Sequence, residues 1–341
     1  MNKRTERAFC LALLFFSAAV RISLSSGFDP GIFSRLSALW SPAAADSDTP
    51  RILPLIWTVD LLPAETEPEA EPVLLSVPDA PPVKSLPAVP MLLFDPAEAD
   101  AVTITGGCSY SVDKQALLTR PSSLKPSSDG PQVLIVHTHS SEAYTPEPGW
   151  EYTPSDELRT EETDYSVIRI GSRVAELLTE AGISVLHDTA LNDYPTYNGA
   201  YARMEATIDG YLAEYPSIQM VLDIHRDAAS NPDGSPLAHT VALHGQDCAQ
   251  LMLVVGTDEG GLAHPDWQEN LANALKLQAL LNRSAPGLCR DLDLRTERFN
   301  QHETPGSLLV EFGSTGNTLQ QALRSAEYFS AALVMFLQSE K

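Results

Sequence analysis

The chain has 341 residues, of which 45 are acidic and 22 basic, giving a formal net charge of −23 at pH 7. That length exceeds one average domain and leaves room for a core of about 200 to 240 residues with an ample interior. The acidic balance excludes a nucleic-acid surface, which needs clustered Lys and Arg, and by itself names no other partner.

At the N-terminus Lys3, Arg4 and Arg7 precede an apolar run from Ala8 to Val20 that Arg21 interrupts. The run is shorter than the roughly 20 residues of a membrane span, so a signal-peptide core and a short signal anchor both fit. Positive charge on its leading side predicts that the rest of the chain faces out of the cytoplasm. From Ser41 to Ala101 the composition turns to Pro, Ala and acidic residues, as in LLPAETEPEAEPV. Such a segment cannot bury enough apolar surface to order itself and reads as an extended spacer. Its one apolar island, Ile52 to Leu62, fits a docking strand or a juxtamembrane contact. These features divide the chain into a signal or anchor (1–30), a Pro- and acid-rich linker (31–101) and a folded domain (102–341).

The domain opens with VTITGG and CSYSV, which suggest a short β element within Val102 to Leu118. VLIV, from Val133 to Val136, is a run of four apolar residues and reads as a buried strand. His137, His139 and Glu142 follow at its carboxyl end, where open α/β sheets place their ligands. The loop from Ser140 to Thr163 is longer than ordinary connections, as functional loops tend to be. Ser166 then caps a predicted helix whose Val167, Ile170, Val174, Leu177 and Ala181 recur at spacings of three and four, with Gly182 as its stop. Ile183 to Leu186 is the next strand, which makes a βαβ unit and a parallel pair. A second helix, from about Gly199 to Glu214, feeds the apolar strand Ile218 to His225, which also ends in histidine.

Further on, His239 to Gly245 and Leu251 to Gly256 read as strands, and a long helix carries Trp267, Leu271, Ala274, Leu277 and Leu281 on one face. CRDLDLR is strand-like, FNQHETPG is a loop, and LLVEFGS is a strand bearing Glu311. The C-terminal helix packs through Ala322, Ala326, Phe329, Leu333 and Phe336. Alternation of strands and helices predicts an α/β fold, a mainly parallel sheet with helices on both faces, preceded by the short β element.

Imidazole and carboxylate are the donors of a catalytic zinc, which takes three protein ligands and leaves a position for water. His139, Glu142 and His225 are the ligand candidates, with His137 an alternative to His139 because residues two apart share a strand face. Asp223, two residues before His225, is placed to orient that imidazole. Arg226 suits either a substrate contact or an ion pair with Asp227. Asn300 and Gln301 suit recognition of peptide or N-acetyl groups, or the satisfaction of backbone turns. His187, His239, His244, His264 and His302 have no ligand-like spacing and read as structural. Cys10, Cys108, Cys248 and Cys289 form no CxxC pair, so the last three read as buried thiols.

Taken in order, HTHSSEAY, DIHRDA, VVGTDEGGLAHPDWQENLANALKLQALLN, FNQ and LLVEFGSTGNT resemble the stage II sporulation protein P family of endospore-forming bacteria. That family is related to the zinc-dependent N-acetylmuramoyl-L-alanine amidases, and the resemblance runs from about Val102 to the C-terminus. It implies an amidase-like fold, a zinc ion, and Glu311 as general base in a comparable LVE position. Among the related amidases the ligand histidine of the first motif lies beyond its strand, which favours His139. Their glutamate ligand lies well downstream, at a helix start, which makes Glu161, Glu162 and Asp164 the alternatives to Glu142. The resemblance further implies a single-pass membrane protein whose extracytoplasmic domain acts on peptidoglycan in septal remodelling and engulfment, on the mother-cell side of the septum. Other engulfment membrane proteins are its implied partners, and a second, endopeptidase activity is implied as well. The competing reading is a non-catalytic, membrane-tethered peptidoglycan-binding scaffold.

Overall fold

The structure is a computed structural model that describes residues 73–75, 94–125 and 129–339. All of them belong to one compact unit, Pro68–Lys341. The leader, most of the linker and the Ile52 to Leu62 island lie outside the described residues. Among those described, no helix is long and apolar enough to cross a membrane.

The strands are β1 (Val73–Leu75), β2 (Ile104–Thr105), β3 (Val133–Val136), β4 (Val185–His187), β5 (Met220–Asp227), β6 (Thr240–Leu243), β7 (Gln246–Ala249), β8 (Leu251–Gly256), β9 (Leu292–Arg295) and β10 (Leu308–Ser314). The helices are α1 (Lys114–Thr119), α2 (Val167–Glu180), α3 (Ala200–Glu214), α4 (Trp267–Ser284) and α5 (Leu319–Ser339). Eight strands form one sheet in the order β1-β4-β3-β5-β10-β8-β9-β2, and β6 pairs with β7 in a separate hairpin. Neighbours in the sheet are parallel except β1 with β4 and β8 with β10. The fold is therefore α/β with a mainly parallel sheet. The expected short β element is β2, which joins the far edge of this sheet beside β9. CSYSV is not a strand, and the 3-10 turn Pro96–Ala101, held by a capping box between Asp95 and Glu98, also belongs to the body.

Strand alternation sorts the side chains into two layers. Val133 and Ile135 of β3, Met220, Leu222 and Ile224 of β5, and Leu308, Val310 and Phe312 of β10 join the large core, to which α2, α4 and α5 contribute. Leu134, Val136 and Val221 face the other way and pack under Met204 and Ile208 of α3. Burying a Leu or Phe side chain is worth roughly 1.5–3 kcal/mol, so two such layers specify the register of these strands strongly.

The helix boundaries follow local chemistry. The Ser166 hydroxyl accepts from the Ile168 amide at 3.2 Å, and Gly182, at φ 80°, supplies the left-handed residue past the C-terminus of α2. The buried stripe of α2 runs Val167, Ile170, Val174, Leu178. Leu178 takes the place expected for Leu177 because a period of 3.6 drifts past strict three-residue spacing. Gly171 stands within this helix for a steric reason, since a Cβ there would lie 2.5 Å from His137 Nε2.

Candidate metal centre

The two-layer arrangement aims the site. Asp223 and His225 follow Val221 at intervals of two, so both project on the α3 face of β5, beyond the apolar layer under that helix. Glu311 lies opposite His225 in the parallel β5–β10 register and projects on the same face. A histidine and a carboxylate thus stand side by side at the carboxyl edge of the central strands.

The segment after β3 brings the remaining groups. The chain turns at residues 138–141, so His139 leaves the strand direction and its ring comes edge-on to His225, with centroids 5.4 Å apart. Tyr197 stacks on His139 at 4.5 Å and Tyr201 meets it edge-on at 5.5 Å. Asp193 holds the turn, accepting from Ser140 Oγ, Ser141 N and Oγ and Arg159 Nη1, and its carboxylate lies 3.7 Å from His139 Nδ1. Tyr144 donates to the Phe312 carbonyl at 2.9 Å, which fixes the same segment to β10. Glu142 is thereby buried with Oε2 3.4 Å from His225 Nδ1, and it accepts from the Arg226 amide at 3.0 Å.

Asp223 serves two neighbours. It accepts from the Thr138 amide at 2.8 Å and the Thr138 hydroxyl at 2.6 Å, and its Oδ1 lies 2.9 Å from His225 Nε2, off the line of a hydrogen bond. Burial works against a charged His225, but the Asp223 and Glu142 carboxylates prevail and raise its pKa well above the ordinary value. Burial likewise opposes an ionised Glu142, yet His225 and then Arg226 hold it down at about 2. Glu311 goes the other way, pushed up to about 8 by burial against the pull of His225 and with repulsion from Glu142.

These groups fit a zinc ion on two observations. The donor set His139, Glu142 and His225 is the nitrogen and oxygen combination of catalytic zinc. In addition, each imidazole turns one nitrogen to an outer carboxylate, His139 Nδ1 to Asp193 and His225 Nε2 to Asp223, which leaves His139 Nε2 and His225 Nδ1 for a metal. Glu311 Oε2 is buried without a hydrogen-bond partner, and the surroundings favour protons on His225 and Glu311. Metal binding releases such protons. As the side chains stand, these donors do not all lie within 4.8 Å of one another. Among the described residues the group that does is Glu205, His302 and Glu303. There Arg298 Nη2 already donates to Glu205 at 2.6 Å, so a cation is present in the network. Sequence spacing gave no hint of this second group, because Glu205 comes from α3 and the others from a turn almost a hundred residues later.

The other sequence candidates are placed as follows. His137 continues the Val133, Ile135 alternation onto the α2 side, where Nδ1 lies 3.1 Å from the Ile224 carbonyl and Nε2 2.9 Å from His187 Nε2. It does not share a face with His139, since the turn after Thr138 breaks the alternation. Burial lowers its pKa to about 4, which leaves the imidazole neutral. Glu161, Glu162 and Asp164 are exposed on the loop, away from the buried cluster. Arg226 donates to the carbonyls of Ala143 and Leu158, whereas Asp227 pairs with Arg290 at 2.7 Å, so the two adjacent residues form no ion pair with each other. Both ends of the Gln301 amide are engaged by β8, accepting from Gly256 N and donating to Val254 O, each at 2.8 Å. Asn300 donates to Tyr201 O at 2.8 Å and lines an apolar cleft of about 410 Å³ with Tyr201, Leu262 and Phe299. Asp193, Arg159, Tyr197 and Tyr201 carry no motif, and only the fold reveals them. Cys108, Cys248 and Cys289 are free thiols, of which only Cys248 is buried as expected and the other two are partly buried.

A profile of stage II sporulation protein P (SpoIIP) matches residues 97–334, which is more than half of the chain. The chain belongs to the SpoIIP family. Stage II sporulation protein P of Bacillus subtilis (strain 168) is 27% identical over 209 residues, covering 57% of this chain and 48% of that protein. The chain thus spans about half the length of the curated relative it matches. Similar solved structures are N-acetylmuramoyl-L-alanine amidases of Nostoc punctiforme (16% identity, TM-score 0.34) and Clostridium difficile 630 (14%, 0.37), each covering 61% of this chain and 97% of the other. Another is a Clostridioides difficile amidase in complex with a lipoprotein, at 13% identity and TM-score 0.36, covering 61% of this chain and 95% of that one. With TM-scores this low, the description of this SpoIIP-family fold rests on its own strand order.

Proposed function

We propose that this protein is a zinc-dependent peptidoglycan hydrolase of the N-acetylmuramoyl-L-alanine amidase type. The observation that carries the reading is the meeting of His139, Glu142 and His225 with Glu311 at one sheet edge, with unpartnered polar atoms buried among them. His139, Glu142 and His225 would hold the ion, with Asp193 beside the first imidazole and Asp223 beside the second to fix their rings. When bound, zinc polarises an amide carbonyl and lowers the pKa of a water toward about 7. Glu311 accepts the proton of the attacking water and passes it to the departing amine nitrogen. Its position on a central strand, directly opposite His225 on the neighbouring strand, keeps that carboxylate fixed while the proton moves. Tyr197 and Tyr201 shield the His139 side from water and offer aromatic faces to a bound sugar or peptide.

Family membership supports a role in septal wall remodelling and engulfment during sporulation, with other engulfment membrane proteins as partners and with endopeptidase action on cross-links as a second activity. The basic, apolar leader supports membrane attachment with the domain outside the cytoplasm, and the family resemblance is what points to the mother-cell side of the septum. A purely scaffolding role has no use for the cost of a buried carboxylate without a partner at Oε2 of Glu311. The deciding experiment is metal analysis of the purified chain together with mass spectrometry of its products from purified peptidoglycan. Release of intact stem peptides by a zinc-loaded enzyme is expected. Unchanged glycan and peptides from protein with stoichiometric zinc would favour the scaffold.

A further inference from the structure

Beside the metal centre, Arg159 and Arg226 line a polar cleft of about 300 Å³ together with Ser230 and Thr315. Arg226 is 4% exposed, and its Nε and Nη2 are committed to the carbonyls of Ala143 at 2.9 Å and Leu158 at 3.0 Å. Its Nη1 makes no hydrogen bond among the described residues and stays open to solvent where the side chain lines the cleft. Arg159 shows the same asymmetry. Nη1 is bound by Asp193 and Ser141, while Nη2 comes no closer than 3.8 Å to Glu142 Oε1. Two guanidinium groups with spare donors therefore share one cleft, and the Arg226 amide that binds Glu142 ties the cleft to the ligand set of the metal centre.

Guanidinium N–H groups that open on a cleft are satisfied by water until a stronger acceptor displaces it. The natural acceptor is a carboxylate, which Arg binds with short, charge-assisted hydrogen bonds. The protein as a whole repels anions, with a net charge of −23, so an anionic group would bind only where cations are concentrated locally. Glu157 also lines the cleft but is exposed, and solvent screens its charge. Resting on the amidase reading, we propose that this cleft is a carboxylate subsite, selecting substrates whose peptide carries a free carboxylate one or two residues from the scissile amide. Arg226 is its main donor and Arg159 the second.

The test compares two synthetic N-acetylmuramoyl peptides that differ only in a free carboxylate or a carboxamide on the second residue. The full-length, zinc-loaded protein is assayed with each for hydrolysis by mass spectrometry and for affinity by calorimetry. The carboxylate form should be favoured about tenfold or more, the worth of one hydrogen bond to a charged group. In Arg226→Gln that preference should collapse toward one, with circular dichroism melting reporting the fold. If that variant does not fold, the wild-type comparison decides alone, because it needs no substitution. Equal hydrolysis and equal binding of the two peptides would overturn the subsite while leaving the amidase reading intact. Preference in binding without hydrolysis of either would do the reverse. Failure to bind either peptide, or an unchanged preference in folded Arg226→Gln, would overturn the subsite as described.

Discussion

Glu311→Gln separates the jobs assigned to the buried carboxylates. The substitution keeps size and hydrogen-bonding capacity but removes basicity. If Glu311 only moves a proton, zinc content should persist while turnover falls by roughly 10² to 10⁴-fold, the usual worth of a positioned general base. The metal-free protein gives an independent reading. Burial raises the Glu311 pKa from 4.5 to about 8, so between those values the folded state binds a proton that the unfolded chain has released. Stability from this group is complete below about pH 4.5 and is lost as pH rises toward 8. At pH 7 the loss is about 3 kcal/mol, as an order of magnitude. Gln cannot ionise, so in chelated protein the unfolding free energy of the variant should gain on the parent across that window. Urea unfolding at a series of pH values measures the difference, and zinc analysis and turnover come from the same preparation. A pH-independent difference would refute the account of the buried carboxyl. Loss of zinc in parallel with turnover would make Glu311 a ligand, and full turnover would sink the mechanism.

Three further outcomes are expected. His225→Ala should abolish most zinc binding, as read by metal analysis after dialysis, because the ring lies between Asp223 and Glu142 at the centre of the cluster; stoichiometric zinc with full activity would count decisively against the site. Asp193→Ala should destabilise the protein by about 3 kcal/mol in chemical unfolding, since it strands Arg159 and the Ser140–Ser141 turn, and should weaken zinc affinity by about 10-fold or more through loss of the group beside His139. The Asp193 carboxyl is held below the usual range by its donors despite burial. Its contribution is therefore present above about pH 4 and lost on further acidification, and a wild-type acid transition matching that of Asp193→Ala would contradict it. Finally, proteolysis of intact protoplasts should degrade the C-terminal domain, and a protected C-terminus would refute the proposed orientation.

The sequence determined the strands and helices whose apolar periodicity is local. VLIV, the stripe of α2, the strand ending at His225 and the C-terminal helix are each readable because burial imposes a period of two or 3.6 on a single segment. It also singled out His139, Glu142, His225 and Glu311, since polar groups that interrupt apolar strands at their carboxyl ends stand out from the pattern. Whether those residues meet was beyond it. The parallel register that sets Glu311 against His225 joins segments more than eighty residues apart, and only the sheet order β3-β5-β10 brings them together. Direction was hidden in the same way. His137 and His139 look equivalent by alternation, but the turn that Asp193 ties down ends the strand between them and sends one ring to the α2 side and the other to the site. Asp193, Tyr197 and Arg159 sit in loops without periodicity and Tyr201 in the first turn of α3, where a residue's role is set by what the fold brings near it. The reversal of β8, β9 and β2 against the central strands was likewise decided by tertiary pairing, because a buried strand has the same composition whichever way it runs.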